Sequence, residues 1–276
     1  MASPASASLA AGAASFVEIP WGELEPLCGF GKELAGQGGA GTCYRGTVRG
    51  QDAAVKVFSI PAGPAGLDAD AAFQRELRML ARLAGQSAFV VRLIGACTQG
   101  AAPNGRPTPR AVVTEYVAGG CLHDALLARR GGGGPPPAGK ALLWAADVAR
   151  GLLHLHAQSP PVAHLDIKPP NVLLRPDGAA VLCDFGISKT ATTLAAVTTS
   201  SQSGTPAYKA PEQWAPRFGV PGPASDVWAF GCLLCDLGTG VPAWRGLSQE
   251  QIMTKVSDRG NGWKETPYVC ERNSIF

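Results

Sequence analysis

The stretch HLDIKPPN, residues 164–171, places three side chains of different chemistry within six positions. Asp166 can accept a proton, Lys168 can stabilise an anion, and Asn171 can offer an amide oxygen. The doubled proline between the last two excludes a helix, so these groups are expected on a rigid loop. An apolar residue, Leu165, stands among them. The stretch therefore predicts a rigid loop whose polar side chains can take part in a reaction.

A β-hairpin is predicted directly after this loop. Residues 175–178, Arg-Pro-Asp-Gly, are a strong turn signal, so Val172–Leu174 is expected to pair antiparallel with Val181–Cys183. Such a hairpin would make neighbours of Asn171 and Asp184. One carboxylate and one amide oxygen that face a single point suit a Mg²⁺ ion, which keeps waters and takes its other ligands from phosphates.

A glycine-rich stretch nearer the N-terminus contains Gly36, Gly38 and Gly41 in the order G-x-G-x-x-G. A dinucleotide-binding fold would need a helix after the glycines, whereas the following residues alternate as in strands. The glycines are therefore expected to cap a hairpin whose tip can lie over phosphates. Ala54 and Lys56 should share one strand face, where one can touch a flat base and the other a phosphate. The alternative is that Lys56 is a solvated edge-strand lysine.

The stretch DADAAFQRELRMLARLAG predicts a helix, because its apolar residues recur at helical spacing. Asp68 or Asp70 is the expected N-cap. Glu76 lies at the edge of the apolar face, so its carboxylate would face the protein and need a cation. Lys56 is the natural candidate, and a solvated Glu76 is the alternative.

Composition predicts a globular chain, since 46% of the 276 residues are hydrophobic and 16% are charged. Strand-like segments surround one helix before the proline- and glycine-rich stretch at residues 100–110. Helices dominate around one hairpin after a second such stretch at 131–139. This pattern predicts an α+β fold with two lobes. A disordered tail is expected at 1–15, a sheet-rich N-lobe at 16–118 and a mainly helical C-lobe at 119–276.

Charge and cysteine usage restrict the partners and the compartment. A net charge of +3 is too small to indicate nucleic acid or a membrane surface, and no apolar stretch is long enough for a membrane span. Eight cysteines without secretory context are expected as reduced thiols of an intracellular, cytoplasmic protein. Cys232 and Cys235 form a CxxC pair, but no second pair completes a zinc site, so they are interpreted as core residues. The oligomeric state is left open.

Taken in order, these motifs resemble those of a eukaryotic protein kinase. Each motif alone is weak, whereas their combination, from about Phe16 to Val256, is highly specific. The matching pieces are the glycine loop, AAVK ending at Lys56, Glu76 in the following helix, HLDIKPPN, DFG at 184–186, APE at 210–212 and SDVWAFG at 225–231.

The resemblance implies a phosphotransferase that uses ATP and Mg²⁺. Asp166 would accept the proton of the substrate hydroxyl, and Lys168 would steady the transferring phosphoryl group. Asn171 and Asp184 would hold Mg²⁺. Catalysis of this kind depends mainly on positioning and on stabilising spread negative charge.

The resemblance also assigns the residues that bind the nucleotide. Lys56, aligned by Glu76, would bind the inner phosphates, and Thr114 would guard the back of the adenine pocket. The rest of the site would be formed by Gly36, Gly38, Gly41, Cys43 and Ala54, by the backbone of Glu115 and Val117, and by Leu173 as the floor.

Two features resemble those of serine/threonine kinases rather than tyrosine kinases. Lys168 stands two residues after Asp166, and GTPAYKAPE resembles the substrate-docking segment of such kinases, with Thr205 able to meet both residues. The upstream segment FVEIPWGELEPL resembles the tyrosine-kinase-like group, most members of which phosphorylate Ser and Thr. A role in intracellular signalling is the expectation.

Leu165 departs from the family, in which most members carry arginine at this position. That arginine meets a phosphate on the activation segment and couples phosphorylation to loop order. With Leu165 that coupling is unavailable, so activity is not expected to depend strongly on activation-segment phosphate. The segment ISKTATTLAAVTTSSQSGTPAY is nevertheless rich in hydroxyls that can be phosphorylated, and the alternative is that these residues only keep the loop flexible and soluble.

The C-terminal residues also depart from the family. The chain closes with SDRGNGWKETPYVCERNSIF where further helices and an arginine partner for Glu212 are expected, and neither Arg259 nor Arg272 has the expected setting. The expectation is a shortened C-lobe with Glu212 as a costly buried charge and a helix around Phe230 that loses part of its cover. Two functions therefore stay open: an active serine/threonine kinase, and a catalytically silent kinase-like module that binds nucleotide or a partner protein.

Overall fold

The chain divides into two compact units, residues 1–117 with 184–186 and residues 118–183 with 187–276. A computed structural model describes residues 6–8, 15–29, 31–38, 41–58, 64–83, 85–98, 109–130, 134–190 and 204–257. Among them, the first unit contains an antiparallel sheet with one long helix, and the second is mainly helical. The predicted α+β fold is confirmed.

The first unit is built on a five-stranded antiparallel sheet in the order β3-β4-β5-β7-β6. Strands β4 and β5 are joined at Arg49 and Gly50, whose φ angles of 50° and 78° are those that a two-residue hairpin turn requires. The sheet strands are β3 Leu34–Gly38, β4 Gly41–Val48, β5 Gln51–Phe58, β6 Leu93–Cys97 and β7 Arg110–Glu115.

The two faces of β5 contact different parts of the unit, because side chains alternate along a strand. Ala53 and Val55 are fully buried in a core that includes Ile19 and Leu24, the latter from helix α1, Trp21–Leu24. The opposite face carries Ala54, Lys56 and Phe58, and the Phe58 ring meets Phe73 of helix α2, Pro64–Leu83, with centroids 5.4 Å apart. Lys56 is therefore turned toward α2.

Helix α2 begins earlier than the sequence predicted. Its first residue is Pro64, so Asp68 and Asp70 lie inside the helix and the prediction that one of them is the N-cap is wrong. Proline is favoured at the first helical position because its missing N–H would have no partner there. Asp70 instead pairs with Arg110 of β7 at 2.6 Å between Oδ1 and Nη1.

Part of the predicted tail has structure of its own. Ser6–Ser8 forms strand β1, which pairs antiparallel with β2, Ser15–Val17, so these residues differ from the expected disorder. In such a pair, the backbone N–H and C=O groups of one strand bond to those of the other. Residues 1–5 and 9–14 lie outside the described residues.

The second unit contains helices and three short strand pairs or bridges. Its helices are α3 Leu122–Arg130, α4 Ala138–His156, α5 Pro211–Trp214, α6 Pro223–Thr239 and α7 Gln249–Ser257. Its strands are β8 Val162–Ala163, β9 Val172–Leu174, β10 Ala180–Leu182 and β11 Lys189–Thr190.

The register of the predicted hairpin in this unit needs correction. Strand β9 pairs with Ala180–Leu182, one residue earlier than predicted, because Arg175 N–H bonds to the carbonyl of Ala179 and closes a tight turn. Helix α4 leaves two leucines exposed, Leu142 at 70% and Leu153 at 69%.

No helix within the described ranges combines the length and the apolar character needed to cross a membrane.

Candidate functional site

The side chain of Lys56 lies between two carboxylates of the first unit. Its Nζ is 2.7 Å from Oε2 of Glu76 and 3.0 Å from Oδ1 of Asp184. Strand β5 presents Lys56 toward α2, and the helical period presents Glu76, which is 4% exposed, toward β5. The predicted contact between Lys56 and Glu76 is present, and Asp184 joins it.

Burial and the neighbouring charges shift the pKa values of Lys56 and Glu76 in opposite directions. Burial disfavours the charged form of Lys56, but the carboxylates of Glu76 and Asp184 outweigh it and raise the pKa of the ammonium. Burial also raises the pKa of the Glu76 carboxyl, against the effect of the Lys56 charge. Lys56 is therefore a fixed cation in this unit.

The segment Asp184–Gly186 is held against α2 by its backbone. Arg75 Nη1 donates a hydrogen bond to the carbonyl oxygen of Gly186 at 3.0 Å, and Phe185 is fully buried. Asp184 has φ 62°, a left-handed conformation that a short polar residue tolerates. A Cβ at Gly186 would lie 3.3 Å from Oδ1 of Asp184 and 3.5 Å from Oε2 of Glu76, so the glycine keeps room for the two carboxylates.

The three glycines of the G-x-G-x-x-G stretch lie where β3 and β4 meet. Gly38 pairs with Gly41 at the end of the hairpin, and Gly36 pairs with Cys43. The predicted hairpin is therefore present. Residues 39 and 40, which complete its tip, lie outside the described residues.

Replacing Gly41 by alanine is expected to lower the free energy of unfolding by about 2 kcal/mol. Gly41 has φ 155°, and an added Cβ would overlap the carbonyl oxygen of Val57, a backbone atom that cannot move aside. Gly36→Ala is the matched control, because within the described residues no heavy atom lies within 4 Å of a Cβ there. Denaturant unfolding of both variants measures the difference, and equal losses would contradict this account.

The predicted roof and back of the adenine pocket lie on adjacent strands. Ala54 is opposite Thr114 of β7, and Cys43 of β4 is opposite Lys56. Burial raises the pKa of the Cys43 thiol to about 11, although the Lys56 charge opposes the shift. At neutral pH Cys43 is therefore an uncharged, apolar group next to the lysine.

The remaining predicted pocket residues are distributed over both units. Glu115 ends β7, its N–H donates to the carbonyl oxygen of Arg92 at 2.9 Å, and Val117 is buried at 5% exposure. Leu173 belongs to β9 of the second unit, where it is half-buried and bridged to Cys121.

In the second unit, both oxygens of the Asp166 carboxylate have partners. Lys168 Nζ lies 2.8 Å from Asp166 Oδ2 and donates to Oγ1 of Thr205, also at 2.8 Å. The backbone N–H of Thr205 donates to Asp166 Oδ1 at 3.2 Å, and Asn171 Nδ2 donates to Oδ2 at 3.0 Å. The sequence-predicted group of Asp166, Lys168, Asn171 and Thr205 is thus brought together around one carboxylate.

Asp226 of α6 anchors the loop that carries this group. The backbone N–H groups of His164 and Leu165 donate to its two oxygens at 2.8 and 2.7 Å, and His156 Nε2 lies 2.8 Å from Oδ2. The motifs of the sequence do not by themselves predict this role of Asp226. The available signal was an aspartate inside an apolar helix, since a buried carboxylate requires donors.

Leu165 has a strained backbone conformation that its hydrogen bonds and the packing of its side chain maintain. Its φ of 68° costs about 1–2 kcal/mol for a residue with a Cβ. Asp226 fixes its N–H, and Gln213 Nε2 donates to its carbonyl oxygen at 2.9 Å. Its side chain, 8% exposed, packs with Ala163 and Ile187.

His164 and Glu212 support the loop and the segment after it. His164 is fully buried, with Nε2 3.0 Å from the carbonyl oxygen of Cys183. Glu212 is half-buried and accepts a hydrogen bond from Ser225 Oγ at 2.6 Å. The expectation of Glu212 as a costly buried charge is therefore wrong, because its carboxylate is only half-buried and accepts this hydrogen bond.

The proposed metal ligands fit Mg²⁺ by the chemistry of their donor atoms. Asn171 uses its amide nitrogen for Asp166, so its oxygen is the atom that it offers to a cation. Asp184 contributes a carboxylate whose side chain is 42% exposed. No group of three or more His, Cys, Asp or Glu side chains in the described ranges is arranged around a metal position. Each of the two residues by itself therefore offers a hard oxygen donor of the kind that Mg²⁺ binds.

Comparison with known proteins places these observations in a family. The sequence model described as "Protein kinase domain" matches residues 31–271. The chain is 33% identical over 241 residues to the serine/threonine-protein kinase CTR1 of Arabidopsis thaliana, a match covering 87% of this chain and 27% of CTR1.

Animal proteins are similar to the same extent. Mitogen-activated protein kinase kinase kinase 10 of Mus musculus is 34% identical over 242 residues, which cover 83% of this chain and 23% of that protein. The mouse serine/threonine-protein kinase TNNI3K is 31% identical over 210 residues, which cover 75% of this chain and 23% of TNNI3K. The chain thus spans about a quarter of the length of these curated relatives, and the predicted resemblance to the tyrosine-kinase-like group is confirmed.

Proposed function

Because this chain belongs to the protein kinase family, we propose that it transfers the γ-phosphoryl group of ATP to Ser and Thr hydroxyls of proteins. The observation that carries the proposal is the carboxylate of Asp166, which Lys168, Asn171 and Thr205 hold in one orientation. A carboxylate fixed in this way can orient a hydroxyl and accept its proton without first rearranging.

The reaction exchanges one bond to the γ-phosphorus for another and moves one proton. The substrate oxygen bonds to the γ-phosphorus, the bond from that phosphorus to the β,γ-bridging oxygen breaks, and the hydroxyl proton passes to Asp166. Lys168, which already bridges Asp166 and Thr205, steadies the negative charge of the phosphoryl group. ADP and the phosphorylated side chain are the products.

The first unit supplies the residues for the nucleotide. Lys56 is a cation fixed by two carboxylates, so it can bind the inner phosphates as a preorganised donor. The adenine base would lie against the side chains of Ala54, Cys43 and Thr114. The backbone of Glu115 and Val117 would offer hydrogen-bonding groups to the edge of the adenine ring. Asp184 and Asn171 are the residues that would hold Mg²⁺, which when bound neutralises phosphate charge.

Transfer of label from γ-labelled Mg-ATP to protein tests the proposal. The purified full chain is incubated with a mixed protein substrate, and the phosphorylated residues are separated by amino-acid analysis. Phosphoserine and phosphothreonine are expected, with little phosphotyrosine. Well-folded protein that binds ATP yet transfers no label would identify the alternative, a nucleotide-binding module without catalysis.

Phosphatase treatment is expected to change the transfer rate by less than about twofold. Leu165 has no charge with which to bind a phosphate, and its side chain packs on Ala163 and Ile187. The measurement compares chain treated with phosphatase, then freed of it, with a sample treated in the presence of phosphatase inhibitor. A tenfold loss would contradict the prediction. Most hydroxyls of the segment lie at residues 191–203, outside the described residues.

We further propose that the chain acts in signalling within the cytoplasm, in keeping with the names of its relatives. Fractionation of cells that express a tagged chain tests the location.

A further inference from the structure

Gln213 is a buried polar side chain to which neither the sequence motifs nor the proposed transfer assigns a role. It belongs to the short helix α5, Pro211–Trp214, and is 7% exposed. A side-chain amide carries both a donor and an acceptor, and each needs a partner when it is buried. The partners of Gln213 therefore show which parts of the chain this residue connects.

The Gln213 amide joins two segments of the second unit. Its Nε2 donates to the carbonyl oxygen of Leu165 at 2.9 Å, and its Oε1 accepts from the N–H of Ala210 at 3.0 Å. Leu165 precedes Asp166 in the loop, whereas Ala210 ends the stretch of residues 204–210, which we call the docking segment. Both hydrogen bonds are buried, so their loss would leave a carbonyl and an N–H group without the partners that water supplies at a surface.

The docking segment is short and regular between its two ends. Its middle is a single 3₁₀ turn, Pro206–Tyr208, in which the N–H of Tyr208 donates to the carbonyl oxygen of Thr205 at 3.0 Å. The proline has a fixed φ, which further restricts this turn. A restraint on Ala210 therefore also restrains Thr205.

The beginning of the docking segment lies on the same loop. The N–H of Thr205 donates to Oδ1 of Asp166 at 3.2 Å. A Cβ built at Gly204 would lie 3.5 Å from the carbonyl oxygen of Leu165, the same oxygen to which Gln213 donates. The docking segment is thus bound to the loop at both ends, through Thr205 at the first and through Gln213 at the second.

We propose that Gln213 is a positioning residue for phosphoryl transfer. It holds the docking segment on the loop, so that Thr205 keeps the Asp166 carboxylate in the orientation that accepts the hydroxyl proton. Gln213 acts through Thr205 and touches no reacting atom. Its two hydrogen bonds join neutral groups, so the link needs no phosphate. The inference rests on the proposed function.

Steady-state kinetics of the variant Gln213→Met test this role. Methionine keeps the length of the side chain but makes neither hydrogen bond, so the KM for the protein substrate is expected to rise about tenfold. The KM for ATP should change by less than about twofold, because the residues proposed for the nucleotide's base and inner phosphates lie on other elements. The matched control is Gln251→Met. Gln251 also accepts from the N–H three residues earlier, that of Ser248 at 2.8 Å, but at an exposed position, so both KM values should stay unchanged.

The variant Gln213→Glu keeps the test decisive if Gln213→Met folds poorly. Its carboxyl group can still accept from Ala210, but it can donate to Leu165 only when it is protonated. Relative to the unchanged chain at the same pH, the KM for the protein substrate should therefore be raised at alkaline pH and return toward normal at mildly acidic pH. A relative KM that stays at one at every pH would overturn the proposal, because the bond to Leu165 would then have no effect on the substrate.

Hydrogen exchange followed by mass spectrometry tests the link without any activity. In Gln213→Met, the amides of the docking segment are expected to exchange about tenfold faster relative to those of β9. Equal acceleration of both, or the same acceleration in Gln251→Met, would overturn the proposal. If the unchanged chain transfers no label, the proposed function fails, whereas the exchange rates still decide whether Gln213 holds the docking segment.

Discussion

Replacing Asp166 by asparagine is expected to lower kcat for phosphoryl transfer about a thousandfold while ATP binding is retained. Asparagine keeps the shape of the side chain but cannot accept the hydroxyl proton. Its amide nitrogen would also face the donors of Lys168 and Asn171, which both lie close to Oδ2. Transfer of labelled phosphate and nucleotide affinity, measured on the same preparation, give the two readouts.

The matched control for this variant is Asp177→Asn. Asp177 is an exposed aspartate of the turn before β10, and its Oδ1 accepts a hydrogen bond from the N–H of Ala179 that an amide oxygen can also accept. Its activity should stay unchanged. Transfer that survives in Asp166→Asn at more than a tenth of the original rate would exclude Asp166 as the proton acceptor.

Replacing Lys56 by methionine is expected to reduce kcat/KM by a factor of about 100 or more, because a preorganised donor to the phosphates is lost. The same change should lower the free energy of unfolding by about 3 kcal/mol. Glu76, 4% exposed, would remain buried beside Asp184 with no ammonium between them. Transfer kinetics and denaturant unfolding measure the two effects.

A double variant separates the two effects of Lys56. Lys56→Met combined with Glu76→Gln removes the buried acid together with its cation, so stability should recover while transfer stays low. Recovery of activity in the double variant would show that Lys56 acts only by neutralising Glu76. If the double variant does not recover stability, the loss of unfolding free energy comes from altered packing and not from the unpaired Glu76 carboxylate.

The sequence indicated the pieces of the site through short-range rules. The period of β5 set Lys56 and Ala54 on one face, and the period of α2 set Glu76 toward the protein. The turn signal at residues 175–178 predicted the hairpin, although its register was one residue off. Register depends on which backbone groups close the turn, and that choice is made by local geometry that residue types constrain only loosely.

Support from distant residues could not be predicted in the same way. Asp226, 61 residues beyond Leu165, fixes the backbone of that residue, and the Ser225 hydroxyl donates a hydrogen bond to Glu212. Helix α4 leaves Leu142 and Leu153 exposed although its sequence is mainly apolar, because a helix buries only the faces that its neighbours cover.

The sequence by itself determined the family, the α+β fold and the identity of the polar groups, since these follow from residue types at fixed spacing. The tertiary structure alone decided that Asp184 joins Lys56 and Glu76, that both oxygens of Asp166 are occupied, and that Leu165 holds a left-handed φ. The physical reason is that strand and helix periods act over a few residues. A buried carboxylate, by contrast, takes its donors from whichever segments the packed chain brings within hydrogen-bond distance.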